Sequence, residues 1–272
     1  AIHHLCFTKD SARIISADTD QMIRAHEVKT GKLIHEWNLP NAGLRDRIRG
    51  FALDGTGKRL VVIVDTGDIH AFSVLTGKLE LSMRTKQVPE SVAHHPRGPS
   101  QIAYSRDGRW LVCGGSNGSV SLWDSQDLTF HFRLSGHTHR ITAVDYHPDG
   151  FHVLSSSADG TLMLWDLREK KLAETLRGHV GHVMNAVFSS DGEQIISCGH
   201  DGVVALWPTS YPSAKLERNG GERIHTWIEF IPDTRKFLLA CSGGVIEQWD
   251  AGTGMREQSW NVHRFGVVGV AI

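Results

Sequence analysis

Long hydrophobic runs are missing from this sequence. No stretch approaches the roughly 20 apolar residues that a helix needs to cross a bilayer, so no membrane partner is expected. An excess of one charge sign is missing too: 29 Lys and Arg face 30 Asp and Glu, a formal net charge of −1. Such balance gives no global pull toward nucleic acid as a direct ligand, and any electrostatic preference must come from local patches. Cysteine is sparse: Cys6, Cys113, Cys198 and Cys241 lie far apart and form no CxxC or CxxCH pattern. Each sits in an apolar, strand-like stretch, which fits free thiols filling small core sites in a reducing, cytoplasmic setting. The 17 histidines form four close pairs, His3-His4, His94-His95, His137/His139 and His179/His182. None has Cys or carboxylate partners at zinc-finger spacing and HEXXH does not occur, so neither a metal nor a cofactor is expected. Proline is scarce, at 8 residues.

Glycine is plentiful, at 28 residues, which suits many tight turns between short strands. The turns recur with a period. Trp123, Trp165, Trp207 and Trp249 are spaced 42 residues apart, and each closes an alternating segment: SVSLW, TLMLW, VVALW and VIEQW. Asp124, Asp166 and Asp250 follow three of them directly. About 15 residues before each Trp lies a turn signal, such as Pro148-Asp149-Gly150 or Ser190-Asp191-Gly192. An apolar/polar alternation precedes it (ITAVDY, 141–146) and another follows it (FHVLSSS, 151–157). A second Gly turn (Asp159-Gly160, Asp201-Gly202) leads into the Trp strand, and a fourth strand such as KLAETL (171–176) completes the unit. Period-2 strands joined this way predict a four-stranded antiparallel meander. Two degenerate copies come first, with His26 and Phe72 at the Trp position, and the terminal VVGVAI matches only a first strand.

Gly136-His137 and Gly178-His179 opening repeats, the Asp-Gly turns and the Trp-Asp endings resemble the WD40-repeat family. The resemblance implies an all-β, WD40-type β-propeller, with four-stranded blades around a central channel. The count of copies predicts six blades plus the first strand of a seventh. Blades are expected at about 1–44, 45–96, 97–138, 139–180, 181–222 and 223–264, with 265–272 starting the next. The chain starts without Met on a strand-like run, Ile2 to Phe7, and stops inside another, which reads as an excerpt of a longer polypeptide.

Two sets of residues look like catalytic parts: His137, Ser155, Asp159 and Trp165, then His179, Ser197, Asp201 and Trp207. A Ser–His–Asp trio suggests hydrolysis, but these recur with the repeat, and catalytic triads do not come in successive copies. The resemblance implies instead a hydrogen-bonded structural tetrad inside each blade, where hydroxyl, imidazole and indole N–H satisfy one another. The third repeat has Cys113 and Asn117 in place of Ser and Asp, and the sixth has Leu239 for Ser and a shortened turn, Ser242-Gly243-Gly244. The first keeps Ser16 and Asp20 but lacks the Trp. No catalytic residues are assigned, and the protein is not expected to be an enzyme.

Binding is expected on one face, where the loops leading into each innermost strand meet the turns between second and third strands. Function commonly sits in such loops on a rigid scaffold. Aligned repeats place Arg47, Arg97, His139 with Arg140, His182, Arg223 and Arg264 just before the innermost strands, with Asp46 and Glu222 the main carboxylates there. Two loops exceed the period, 38–47 and 84–100, and the second adds His94 and His95. The expected function is a non-catalytic interaction scaffold, in a larger chain or complex. It would bind a protein or an acidic or phosphorylated peptide on a basic ring of these residues. The alternatives are a sensor or regulatory propeller of a larger multidomain enzyme or signalling protein and, more remotely, an enzyme with its site in the channel. The innermost strands offer few polar residues for the latter. The Thr-Gly-Lys recurrence at 30–32 and 76–78 reads as a hairpin turn, since no helix follows to make a phosphate loop.

Overall fold

Alternating segments bounded by Gly turns can satisfy their backbone groups only by pairing with their neighbours. In the computed structural model they pair in sequence order. The structure describes residues 2–8, 10–18, 22–39, 47–83, 99–209, 215–218, 224–232 and 234–262. All regular structure among them is β-strand, arranged as six four-stranded antiparallel sheets, each a blade of four consecutive strands.

The chain divides into two compact units, Ala1–Ser135 and Gly136–Ile272, each carrying three blades. The first unit holds blade 1 (β1 Ile2–Phe7, β2 Arg13–Asp18, β3 Met22–Glu27, β4 Leu33–Asn38) and blade 2 (β5 Ile48–Leu53, β6 Arg59–Val64, β7 Ile69–Ser73, β8 Leu79–Met83). Blade 3 follows in the same unit, with β9 Pro99–Tyr104, β10 Trp110–Gly115, β11 Ser119–Asp124 and β12 Phe130–Ser135. The second unit opens with blade 4: β13 Ile141–Tyr146, β14 His152–Ser157, β15 Thr161–Asp166, β16 Lys171–Arg177. Blade 5 has β17 Val183–Phe188, β18 Gln194–Gly199, β19 Val203–Pro208 and β20 Lys215–Arg218. Blade 6 has β21 His225–Phe230, β22 Lys236–Cys241, β23 Val245–Asp250 and β24 Met255–Asn261. The predicted first strand of a seventh blade, in 265–272, lies outside the described residues.

Burial follows strand position. The second and third strands of a blade are covered on both faces, as in β14, where Val153 to Ser157 are all buried. The fourth strand meets water, and all seven residues of β24 are exposed. Within each unit the core lies between successive blades. Leu154 and Leu162 of blade 4 pack with Val183, Ile195 and Trp207 of blade 5. In the first unit Ile15 and Ile23 pack with Leu60, Val62 and Phe72. Phe72, 2% exposed, fills the Trp position of its degenerate repeat. Side chains also tie neighbours together: the Arg13 guanidinium donates to the Val74 carbonyl at 2.9 Å and that of Arg59 to the Ser125 carbonyl at 2.8 Å.

All four cysteines are free thiols; Cys113, Cys198 and Cys241 are buried and Cys6 is half-buried. Burial pushes the Cys6 thiol up to about 12 and raises Cys113 and Cys198 further, so none of these three is a ready nucleophile.

Candidate functional site

The two motif sets converge in blades 4 and 5. In blade 4 His137 Nδ1 lies 2.9 Å from Asp159 Oδ2, and its Nε2 lies 2.8 Å from Ser155 Oγ. The Trp165 indole N–H donates to the same Oγ at 2.8 Å. Blade 5 repeats the arrangement: His179 Nδ1 to Asp201 Oδ2 at 3.0 Å, His179 Nε2 to Ser197 Oγ at 2.8 Å, and Trp207 Nε1 to Ser197 Oγ at 2.9 Å. With Nδ1–H donated to the carboxylate, Nε2 accepts the Ser hydroxyl, and that oxygen accepts the indole. Burial holds both imidazoles below their ordinary value of 6.5 against the opposing Asp, which favours the neutral form this chain needs.

The order Asp–His–Ser is that of a hydrolytic triad, but the surroundings forbid the chemistry. Ser155 and Ser197 are 0% exposed. Each oxygen already holds an indole N–H and an imidazole, which leaves a substrate carbonyl no approach. Gly136 shows how tightly the site is closed: a Cβ there would stand 2.9 Å from Trp165. The Asp residues reach outward instead. Asp159 accepts the backbone N–H of Thr138 at 3.0 Å and of Thr161 at 2.9 Å; Asp201 accepts those of Val180 at 2.8 Å and Val203 at 3.1 Å. Each carboxylate thus pins a lead-in loop to the turn before the third strand, where Gly160 takes a φ of +84° that only glycine adopts freely.

Blades 3 and 6 lack the Ser, and the indole finds another partner. Trp123 Nε1 donates to Ser121 Oγ at 2.9 Å, and Trp249 Nε1 donates to Glu247 Oε2 at 3.1 Å. Both partners stand two residues before the Trp, on the same face of its own strand. Asn117 Oδ1 accepts the Ser119 N–H at 2.9 Å, keeping the turn bond of the Asp it replaces. Among the described residues these substitutes bond within their own strand and turn, whereas Asp159 and Asp201 also hold the lead-in N–H groups of Thr138 and Val180. Blades 4 and 5 should therefore be the most rigid and blades 1 and 2 the least, with slower amide exchange over 141–207 than over 1–80; the reverse order would refute this.

The lead-in loops position the expected binding residues by one recurring bond. The carbonyl just before the innermost strand accepts a backbone N–H from the second turn: Arg47 from Asp65 at 2.9 Å, Arg140 from Ala158 at 3.0 Å, His182 from His200 at 2.9 Å and Ile224 from Ser242 at 2.8 Å. Arg47, Arg140 and His182 are thus equivalent positions in blades 2, 4 and 5, and all three side chains are exposed, as is His139. The His182 ring lies against that of His200, with centroids 5.3 Å apart. In blade 6 the equivalent position is the apolar Ile224, one residue beyond Arg223. His94, His95, Arg97, Arg223 and Arg264 lie outside the described residues.

Two acids went unremarked in the sequence. Asp145 of β13 and Glu229 of β21 share one register on the innermost strands of unit 2, opposite Leu154 and Leu238. Asp145 Oδ2 accepts the Phe188 N–H of blade 5 at 2.8 Å, and Oδ1 accepts its neighbour Tyr146 N–H at 2.9 Å. Burial raises Asp145 to about 6 against these bonds, and raises Glu229 to about 8 with help from the Asp145 charge. The expectation that the innermost strands hold few polar residues is corrected to this extent. The signal was a carboxylate at the fifth position of two first strands, ITAVDY and HTWIEF.

Repeated four-stranded blades with indole-centred networks define the β-propeller class. The WD40 family model, described as WD domain, G-beta repeat, matches residues 87–124, 128–166 and 170–208, so the chain carries three WD40 repeats among its blades. It is 26% identical over 120 residues to a eukaryotic translation initiation factor 3 subunit I of Pyricularia oryzae, covering 43% of this chain and 34% of that protein. The corresponding subunit I of Phaeosphaeria nodorum is 25% identical over 120 residues, 43% of this chain and 35% of the relative. That of Lodderomyces elongisporus is 26% identical over 113 residues, 39% and 31% respectively. The match therefore spans about a third of the length of these relatives.

Proposed function

We propose that this protein is a non-catalytic interaction scaffold that binds a protein or peptide partner through the lead-in loops of its blades. The observation that carries the reading is the pinned backbone beneath exposed side chains. His139, Arg140 and His182 follow loops that Asp159 and Asp201 hold by their backbone N–H groups. A fixed backbone lowers the ordering cost of binding, and arginine offers a carboxylate or phosphate two parallel donors. An acidic or phosphorylated peptide fits that chemistry. Val180 lies on the same side, 77% exposed, and supplies an apolar contact. Membership of a larger, cytoplasmic assembly is part of the proposal: the relatives are named as subunits of a translation initiation factor, and free thiols suit a reducing compartment.

Affinity capture with Arg140→Glu plus His182→Glu tests it. The double variant should lose a partner that the parent retains, while its melting temperature stays unchanged. Equal capture by both proteins would reject the face.

A further inference from the structure

Far from the lead-in loops, at the turns joining first to second strands, blade 4 departs from its siblings. In blades 1, 3 and 5 a hydroxyl opens the turn and donates to the Asp two residues on: Thr8 to Asp10, Ser105 to Asp107 and Ser189 to Asp191, at 2.5–2.6 Å. The same hydroxyl accepts the N–H of the residue five positions on, Arg13, Trp110 or Gln194, at 2.9–3.0 Å. In blade 4 imidazoles occupy both ends of the turn, His147-Pro148-Asp149-Gly150-Phe151-His152.

The carboxylate between them has one anchored oxygen and one directed at the rings. Asp149 Oδ1 accepts the N–H of Phe151 at 2.7 Å and of His152 at 3.1 Å. Oδ2 stands 2.7 Å from His152 Nδ1 and 3.1 Å from His147 Nδ1. Each ring turns its second nitrogen to another oxygen. His147 Nε2 lies 3.0 Å from the Gly192 carbonyl and His152 Nε2 lies 3.9 Å from Asp166 Oδ2. A carbonyl only accepts, so His147 Nε2 carries the proton and its Nδ1 keeps the lone pair. That lone pair faces a carboxylate oxygen, a repulsive pairing that the Asp149 N–H, 3.1 Å from the same nitrogen, only partly offsets. A cation among the three atoms removes the repulsion. An imidazole backed by a carbonyl on its far nitrogen, as His147 is by Gly192, and a carboxylate anchored by backbone N–H groups are what surrounds a protein metal ion.

We propose that this turn binds one divalent transition-metal ion of the zinc, cobalt and nickel type. The ligands are His147 Nδ1, His152 Nδ1 and Asp149 Oδ2, with water in the remaining positions. The donor atoms lie within 4.8 Å of one another, close enough for one ion to gather them by small side-chain rotations. Two imidazoles and one carboxylate favour such ions over calcium or magnesium, which take oxygen ligands. The side chains are 21–40% exposed, so an ion enters from solvent and keeps its open positions there. The backbone N–H of Asp149 gives up its contact with Nδ1 in exchange.

The test is a Co²⁺ titration of the full chain followed by its visible absorption, with Zn²⁺ as competitor and melting temperature as a second readout. The variant is His147→Ser with His152→Ala; the serine restores the hydroxyl turn of blades 1, 3 and 5, so the fold is kept. The parent should bind one equivalent of Co²⁺ that Zn²⁺ displaces, and should melt higher in Zn²⁺. The variant should bind at least tenfold more weakly and show no such rise. No saturable binding by the parent, or equal binding by both proteins, which would place the ion on other histidines, overturns the proposal.

Discussion

Trp207→Ala should destabilise the protein by about 3–5 kcal/mol, lowering the melting temperature by roughly 10 °C. The indole is 1% exposed and packs with Leu154, Leu162, Val183 and Ile195, so truncation leaves a cavity between blades 4 and 5 that rigid strands cannot collapse. It also removes the donor that Ser197 Oγ accepts. Trp207→Phe separates the two effects. It keeps most of the volume and loses only the N–H bond, and should cost about 1–2 kcal/mol. Denaturant or thermal unfolding reads both. A cost below about 1 kcal/mol for Trp207→Ala would mean that the indole does not organise the blade. The corresponding test in blade 3 is Ser121→Ala, which should be milder, because the Trp123 partner there is a single hydroxyl outside any His–Asp chain.

Glu229→Gln should change the pH dependence of stability more than its value at acid pH. Glu229 is raised from 4.5 to about 8 by burial and by the charge of Asp145. A carboxyl whose folded value lies above its unfolded value contributes stability that is fully present below pH 4.5 and lost as pH rises through about 8. The parent should therefore weaken across that window, and Glu229→Gln should remove the loss. At pH 9 the variant should be the more stable by about 2 kcal/mol, a figure held down because water still reaches part of the side chain. At pH 4 the two should be equal. His137 and His179 act in the opposite direction. Burial holds them below 6.5, so their contribution is present above 6.5 and lost as pH falls below it. Parallel pH–stability curves for parent and variant would show that Glu229 does not titrate as argued.

The blades were legible because period-2 strands and Asp-Gly turns leave a regular trace, and four Trp in one register fixed the spacing. The residues of both tetrads could be picked out for the same reason: a His, a Ser and an Asp at constant offsets from a Trp. What escaped is instructive. The substitute partners Ser121 and Glu247 are polar residues two before the Trp, where TLMLW and VVALW have Met163 and Ala205. A comparison of that one column would have found them. The level of the lead-in residues was set only to within two positions, and the bond to the second turn selects Ile224, not Arg223, in blade 6. The pairing of His147 with His152 was hidden because a turn, unlike a strand, brings ends together at no fixed period. Asp145 and Glu229 were hidden because their proximity depends on packing between blades, which no local pattern encodes.

The central claim is that a rigid frame presents exposed cationic residues to an acidic partner. Its most direct measurement is the affinity of the captured partner, or of an acidic or phosphorylated peptide from it, as a function of salt, for the parent and for Arg140→Glu with His182→Glu. The account predicts that parent binding weakens steeply as salt screens the arginines, and that the double variant binds at least tenfold more weakly at low salt with an unaltered melting temperature. Equal affinities at low salt would contradict it.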